Sequence, residues 1–307
     1  MVDILLATYN GEKFLREQLD SLLAQTYQDF RIVIRDDDST DATMDIIKEY
    51  LIRHGEKIVL IRDDRKCGSP AKNFMELMKH TRADYIMFCD QDDVWLPDKV
   101  QKMLVRMQAE EKSSADGAEP ILLFTDYYVA DADLKVMDVP EDSLQIAKHF
   151  HSFNRLLVQN YITGCTCMIN KTACLLAGEY DERILMHDWW VALYVSAMGH
   201  IVHFPEKLMY YRQHGGNDVG AKNVKSFRYR LEKMLDPDTR RSKDNYFAQA
   251  ELLKERFRAE MNEHSTLVLD GFLRIRELPK TARVKALIDG GYLKSDLVRN
   301  LGFMLYI

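Results

Sequence analysis

Asp90-Gln91-Asp92-Asp93 follows directly on the apolar run Tyr85 to Cys89. Carboxylates crowded this closely repel and raise one another's pKa, so something cationic normally compensates. A hard divalent ion held by few protein oxygens, with positions left for phosphate oxygens, suits such a set. In extended chain residues 90 and 92 point to the same face and both can reach one ion. The plainer alternative is a solvated acidic loop with Asp93 as a helix cap. A second acidic run, Asp36-Asp37-Asp38, closes the stretch Phe30 to Arg35. A carboxylate there can accept hydrogen bonds from a base N–H or ribose hydroxyls, while Ser39 or Asp41 caps the next helix. Asp188 is a lone carboxylate between His187 and Trp189-Trp190, at the start of an apolar helical stretch. By itself it reads as a helix N-cap.

The elements that must position these groups alternate. Residues 2–7 form an apolar run ending at Thr8-Tyr9-Asn10-Gly11, and Phe14, Leu15, Leu19, Leu22 and Leu23 then recur at helical spacing. Strand Phe30 to Arg35 precedes a helix carrying Met44, Ile46, Ile47, Tyr50 and Leu51. Strand Lys57 to Ile61 leads through Gly68-Ser69-Pro70 into helix 71–80, and strand Tyr85 to Cys89 leads into helix 97–110, with Pro97 in its first turn. Four βα units in succession predict an α/β fold with a parallel sheet. Ligands of such sheets sit beyond the carboxyl ends of the strands, where the acidic clusters lie. Further on, Ile121 to Phe124, Tyr161 to Ile169 and His200 to Phe204 read as strands, and Trp189 to Met198 as a buried helix. From about residue 222 basic and aromatic residues interleave at helical spacing, after a hinge at Gly215-Gly216 and Gly220. The expected division is 1–220 and a helical 221–307.

With 307 residues the chain can bury a large core without disulfides. Its net charge of −6 argues against non-specific nucleic-acid binding. Cys67, Cys89, Cys165, Cys167 and Cys174 are odd in number and lack paired CxxC spacing, so buried thiols in a reducing compartment are expected. Cys165 and Cys167 alternate along the expected strand and should share a face. The N-terminus reads as a strand rather than a signal peptide, and no apolar run reaches spanning length. A cytoplasmic protein is expected.

Together, Thr8-Tyr9-Asn10, Asp36-Asp37-Asp38-Ser39-Thr40-Asp41, Gly68 with Asn73, Asp90-Gln91-Asp92-Asp93-Val94-Trp95, His187-Asp188-Trp189-Trp190 and Tyr210-Tyr211-Arg212-Gln213-His214, followed by Asn217 and Gly220, resemble family 2 glycosyltransferases of the GT-A fold. Within that family the chain is most similar to bacterial rhamnosyltransferases of cell-wall and capsular polysaccharide synthesis. The resemblance covers roughly residues 2–220 and implies a GT-A fold: a Rossmann-like, mostly parallel central sheet flanked by helices, here with a helical C-terminal extension. It implies that Thr8, Asn10, Asp36 and Asp37 line the nucleoside pocket, and that Lys72 or Asn73 lies near the base or diphosphate. Asp90 and Asp92 would hold Mg²⁺ or Mn²⁺ against the diphosphate. His214 would be a third ligand or a diphosphate contact, Arg212 would offset phosphate charge, and Asp188 would deprotonate the acceptor. The implied partners are a nucleotide-diphosphate sugar and a glycan or lipid-linked acceptor. Attack at an anomeric carbon needs one base and charge stabilisation on the leaving diphosphate, so inversion is expected. Trp189 and Trp190 could stack on acceptor sugars. The family usually has Gly where Asp38 stands, a position suited to positive φ.

Lys222, Lys225, Arg228, Arg230, Lys233, Arg240, Arg241 and Lys243, with Phe227, Tyr229 and Phe247 between them, could rest on an anionic membrane surface. Helices packed on the catalytic domain or on a second subunit are the alternative. A sugar-phosphate nucleotidyltransferase would need a Gly-rich basic loop that Thr8-Tyr9-Asn10-Gly11-Glu12 does not supply. A non-catalytic sugar- or nucleotide-binding module would not need Asp188.

Overall fold

The computed structural model describes residues 1–63, 65–113, 119–138, 151–214 and 237–307, with side chains of the last stretch from residue 244. Strands β1 (Val2–Thr8), β2 (Phe30–Asp36), β3 (Ile58–Ile61) and β4 (Tyr85–Cys89) alternate with helices α1 (Leu15–Leu23), α2 (Thr43–His54) and α3 (Pro70–Met78). These four strands are parallel to one another, in the order β3-β2-β1-β4. Alternate residues of β1 and β2 serve two cores: Leu5 and Val33 face one side of the sheet, and Ile4, Leu6, Ile32 and Ile34 the other. Burial on both faces is why these segments read as continuous apolar runs.

The sheet continues through β7 (Cys167–Asn170), β6 (Ile121–Ala130), β8 (His200–Arg212) and the short β5 (Val94–Trp95). β7 runs antiparallel to both β4 and β6, which returns the carboxyl end of β6 to the same edge as those of β1, β2 and β4. Helix α4 (Lys99–Ser113) starts two residues after Pro97, whose carbonyl instead accepts the Thr26 N–H at 2.8 Å.

Two expectations for the middle of the chain need correction. The strand expected from Tyr161 begins only at Cys167, because Gly164–Thr166 form a 3₁₀ turn. Cys165 and Cys167 consequently pack into opposite cores rather than sharing a face. All five cysteines are free thiols.

Between β6 and β8 lie the short helices α5 (Phe153–Leu156) and α6 (Lys171–Leu176), and α7 (His187–Met198), a helix apolar on nearly all sides and buried accordingly. The C-terminal part is helical: α8 (Pro237–Phe257), α9 (Glu263–Arg274), α10 (Lys280–Asp289) and α11 (Leu297–Tyr306). Phe247, Leu253, Phe257, Phe272 and Phe303 join the core that also holds α3 and α7. The Phe247 and Phe272 rings stack with centroids 4.5 Å apart. The hinge at Gly215-Gly216 and Gly220, Asn217, and the residues Lys222, Lys225, Phe227, Arg228, Tyr229, Arg230 and Lys233 lie outside the described residues. So do the side chains of Arg240, Arg241 and Lys243. Among the described residues no helix is long and apolar enough to cross a membrane.

Candidate active site

The carboxyl ends of β1 and β2 meet at Thr8, which pairs in register with Asp36 and donates its hydroxyl to that carboxylate at 2.7 Å. Asp36 also accepts from the Ser39 N–H at 2.8 Å and its hydroxyl at 2.6 Å. Asn10 accepts the Thr40 N–H at 2.9 Å, while its own N–H goes to the Ser39 hydroxyl. The two loops thus form one braced wall. Its backbone is strained where the sequence comparison placed a glycine: Asp38 has φ +68°.

Behind the wall stands a buried cation that the sequence reading passed over. Arg35 is fully buried, and its guanidinium donates to Asp63, to Asn73 Oδ1 at 2.9 Å and to Asp37. Asp37 also accepts the N–H groups of Cys67 (2.5 Å) and Gly68 (2.7 Å). Asp37 and Asn73, which the resemblance puts at the nucleoside and diphosphate pocket, are thus buried and held by Arg35. Thr8 is buried too; Asn10, Asp36 and Lys72 reach solvent. The Lys72 ammonium lies 5.6 Å from the centre of the Tyr180 ring.

The acidic loop after β4 is tied to the first wall by Gln91, which donates to the Tyr9 carbonyl and accepts the Tyr9 N–H, both at 2.9 Å. A Cβ at position 11 would stand 2.2 Å from Gln91 Oε1, so any larger residue there would have to push the Gln91 amide away from Tyr9. Asp92 Oδ2 lies 2.8 Å from His214 Nε2, which brings together residues 122 positions apart. Asp93 is the surprise. It is fully buried rather than a helix cap, with Oδ1 accepting the Arg212 N–H at 3.1 Å and Oδ2 without a hydrogen-bond partner among the described residues. Carboxylate oxygens of Asp90 and Asp93 and the Cys165 sulfur fall within 4.8 Å of one another. Burial, then the Asp92 charge, pushes the Asp90 carboxyl up to about 7. Burial and the charges of Asp90 and Asp92 push Asp93 well above the usual range. A carboxylate–imidazole pair beside crowded acids of raised pKa is a donor set that a divalent cation can satisfy; the carboxylate oxygens suit Mg²⁺ or Mn²⁺, and an imidazole ligand would favour a transition ion such as Mn²⁺ over Mg²⁺.

Two further buried cations support this loop. Lys99 is fully buried, donates to the Cys165 carbonyl at 2.6 Å and sits 3.7 Å from the Trp95 ring centre; burial pulls it down to about 8. Arg212 was expected to face phosphate. Its guanidinium instead donates to the Asp92 carbonyl at 2.7 Å, to the Ala132 carbonyl and to Glu17, and only 2 % of its side chain is exposed. The correction is that Arg212 braces the acidic loop after β4 from inside.

Asp188 opens the opposite wall. It is the second residue of α7, not its cap, which is Met186. Its Oδ1 accepts from Asn160 Nδ2 (3.1 Å) and the Trp189 N–H (2.6 Å), and its Oδ2 from the Gly164 N–H (3.0 Å). Burial outweighs these donors and raises the carboxyl to about 6. The 3₁₀ turn at Gly164 is thus what delivers a donor to Asp188, and a Cβ on Gly164 would stand 2.8 Å from His187 Nε2. His187 itself is sandwiched against Phe74, ring centres 3.9 Å apart, and burial lowers it to about 3. Trp190 is fully buried with its Nε1–H on the Ala177 carbonyl, so its reading as an acceptor platform is withdrawn. Trp189 is half-buried, donates to the Leu156 carbonyl at 2.6 Å and packs 5.5 Å from Tyr246. The Asp188 charge is among the causes that raise Asp90, which puts the two walls within electrostatic reach.

Residues 3–121 match the family model Glycosyl transferase family 2. This region is a family 2 glycosyltransferase domain. The dTDP-rhamnosyl transferase RfbG of Shigella flexneri is 29 % identical over 227 residues, 70 % of this chain and 74 % of that protein. An uncharacterized glycosyltransferase of Methanocaldococcus jannaschii is 27 % identical over 62 % of this chain and 63 % of its own length. Among solved structures, S. aureus TarS 1-349 in complex with UDP-GlcNAc superposes with a TM-score of 0.56 at 16 % identity, over 99 % of this chain and 90 % of that one. The mannosyltransferase PcManGT from Pyrobaculum calidifontis, in complex with GDP-Man and Mn²⁺, gives 0.54 at 15 %, over 99 % and 78 %. The chain covers 48 % of the longer TarS structure. These likenesses establish the glycosyltransferase fold of the GT-A type, with a helical C-terminal part, and leave donor and acceptor to be argued.

Proposed function

We propose that this family 2 glycosyltransferase is inverting and metal-dependent. It moves L-rhamnose from dTDP-rhamnose onto a hydroxyl of a lipid-linked or oligosaccharide acceptor in bacterial cell-wall or capsular polysaccharide synthesis. The observation that carries the reaction type is the Asp92–His214 pair beside Asp90, with Asp188 close enough for its charge to act on the Asp90 carboxyl. Asp90, Asp92 and His214 are the residues that would hold Mg²⁺ or Mn²⁺. When bound, the ion neutralises the diphosphate that leaves.

The chain's own residues do the rest. Asn10 and Asp36 present polar groups toward the nucleoside, and Lys72 offers a cation beside the same wall. Asp188, held by three N–H donors, accepts the acceptor's hydroxyl proton as that oxygen bonds to the anomeric carbon and the bond from that carbon to the diphosphate oxygen breaks. A carboxyl near 6 is a stronger base than an ordinary aspartate and is still ionised at neutral pH. One base and one face of attack give inversion. The catalytic unit of this reading is residues 1–220, with 221–307 as a helical appendage, acting in the cytoplasm at the inner face of the membrane. The rhamnosyl preference is supported by the relative from Shigella flexneri and by the Asp90 to Pro97 and Tyr211 to His214 stretches.

A panel of nucleotide sugars, read as nucleoside-diphosphate release with Mn²⁺ or with EDTA, tests this. Release from dTDP-rhamnose alone supports the full reading. Release from a UDP-hexose would replace the donor. Binding without release from any donor would favour a non-catalytic module.

A further inference from the structure

Helix α11 breaks the usual rule for a surface helix. Phe303 is buried against the body of the protein, yet Leu297, Leu301 and Leu305 are 73 %, 55 % and 54 % exposed. Their spacing of four places them along one outward stripe, and Arg299 is the single charged residue within the helix. On the adjoining helix α10, Ile288 is 53 % exposed, one turn from the exposed Lys285. A helix apolar on both faces is normally covered.

Two observations indicate what covers it. The first is charge. The chain is acidic overall, but residues 278–307 carry Lys280, Arg283, Lys285, Lys294 and Arg299 against Asp289 and Asp296. Lys280 stands at the very end of the stripe, donating to the carbonyls of Leu305 (2.7 Å) and Ile307 (2.8 Å). Lys285 and Arg299 pair with Asp289 and Asp296, and Lys294 faces Tyr246, so the segment keeps an excess of three positive charges, five cations against two acids; an apolar stripe on such a segment fits an anionic headgroup layer. The stripe also exposes only on the order of 300 Å², against the ~800 Å² per partner of a stable protein interface. The second is continuity with the base. Trp189, the neighbour of Asp188, lies 5.5 Å from Tyr246, which lies 6.1 Å from Phe303 on α11. Lys294 donates to the Tyr246 hydroxyl at 3.1 Å, and Arg155 Nη1 donates to the Leu293 carbonyl at 3.0 Å. The wall that holds Asp188 is thus clamped to the segment that leads into α11.

We propose that α11 and the outer side of α10 form the surface by which this chain rests on an anionic lipid bilayer, the apolar stripe entering the headgroup boundary and the cations lying above it. This deepens the lipid-linked acceptor of the proposed function and rests on that reading: docking there sets the Asp188 wall toward the membrane in which such an acceptor is anchored.

The test uses the full chain and vesicles of phosphatidylcholine with roughly a third phosphatidylglycerol. Wild type should co-sediment at low salt and release as salt rises. The triple variant Leu297→Ser, Leu301→Ser, Leu305→Ser should partition about 100-fold less, and Lys285→Glu, which leaves the stripe intact, about 10-fold less. Wild type that stays in the supernatant, or a triple variant that binds as tightly, overturns the proposal. So does a wild-type mass in solution twice that of the triple variant, since a second copy would then cover the stripe. Mn²⁺-dependent binding of a nucleoside diphosphate, measured by calorimetry on both proteins without vesicles, should be unchanged by the triple variant. Its absence from wild type would refute the proposed function while the vesicle result still decides the docking surface.

Discussion

Replacing Asp188 by Asn separates a base from a scaffold residue, because the structure fixes what Asn keeps and what it loses. One oxygen can still accept from Asn160 and the Trp189 N–H. The amide NH₂ then faces the Gly164 N–H, so one buried donor loses its acceptor, at a cost of about 1–3 kcal/mol. Against this, the substitution removes a carboxylate raised from its ordinary value to about 6. A raised carboxyl pKa means that the folded state binds the proton more tightly than the unfolded chain. Its contribution to stability is therefore present below the unfolded pKa and lost as pH rises through about 6. Ionised Asp188 costs about 3 kcal/mol above that pH. The two effects are of similar size and opposite sign, so at pH 8 the melting temperature should shift by only a few degrees. Transfer should fall by roughly 10²-fold or more. Donor affinity should hold, since neither the nucleoside wall nor Asp92 and His214 is touched. The assay is initial-rate transfer alongside donor calorimetry and a thermal melt. In wild type kcat/KM should rise with pH through about 6 and then level off. A folded Asp188→Asn variant that binds donor and transfers at the normal rate would remove Asp188 from the mechanism.

Asp92→Asn and His214→Ala should each abolish Mn²⁺-dependent turnover and weaken nucleoside-diphosphate binding; full transfer in excess EDTA would contradict the metal reading. Asp38→Gly should stabilise the fold by about 1 kcal/mol, because Asp38 holds φ +68°, a conformation that costs glycine little; an unchanged or lower melting temperature would count against strain there. Arg212→Lys should destabilise by about 2–4 kcal/mol, since one ammonium cannot serve the Asp92 carbonyl, the Ala132 carbonyl and Glu17 together. If it instead left the melting temperature alone and raised KM for donor, Arg212 would be a phosphate contact after all.

The parallel half of the sheet was legible because both faces of β1, β2 and β4 are buried, so each strand is mostly apolar, broken only by Asp3, Arg31 and Arg35, and ends in polar residues. The family resemblance singled out Asp92 and His214 separately; that the two side chains meet at 2.8 Å is shown only by the structure. Periodicity could not show that Gly164–Thr166 turns instead of extending. An apolar run gives no sign that one N–H must leave the ladder to meet a carboxylate 24 residues later. Nor could it sort acids by depth. Asp90, Asp92 and Asp93 are identical letters, yet Asp93 is buried beneath the loop and Asp92 reaches a histidine.

The cations show the same limit from the other side and explain how the acidic edge holds together. Arg35, Lys99 and Arg212 are all buried, and each is bound to backbone carbonyls or acids of the loops that carry the site. In sequence they look like surface charge, or like phosphate ligands. A buried lysine or arginine is tolerable only when its donors are met and its charge is offset. Here the offset comes from Asp37 and Asp63 at Arg35, from the carboxylates below the loop after β4 at Lys99, and from Glu17 at Arg212. These interior ion pairs hold the acidic loops in place before any substrate arrives. Asp92 is instead paired with the His214 imidazole, and Asp90 stands beside the Asp92 charge; these are the acids proposed to take a divalent ion. The site is therefore selected as much by which acids the fold has already neutralised as by which acids it displays.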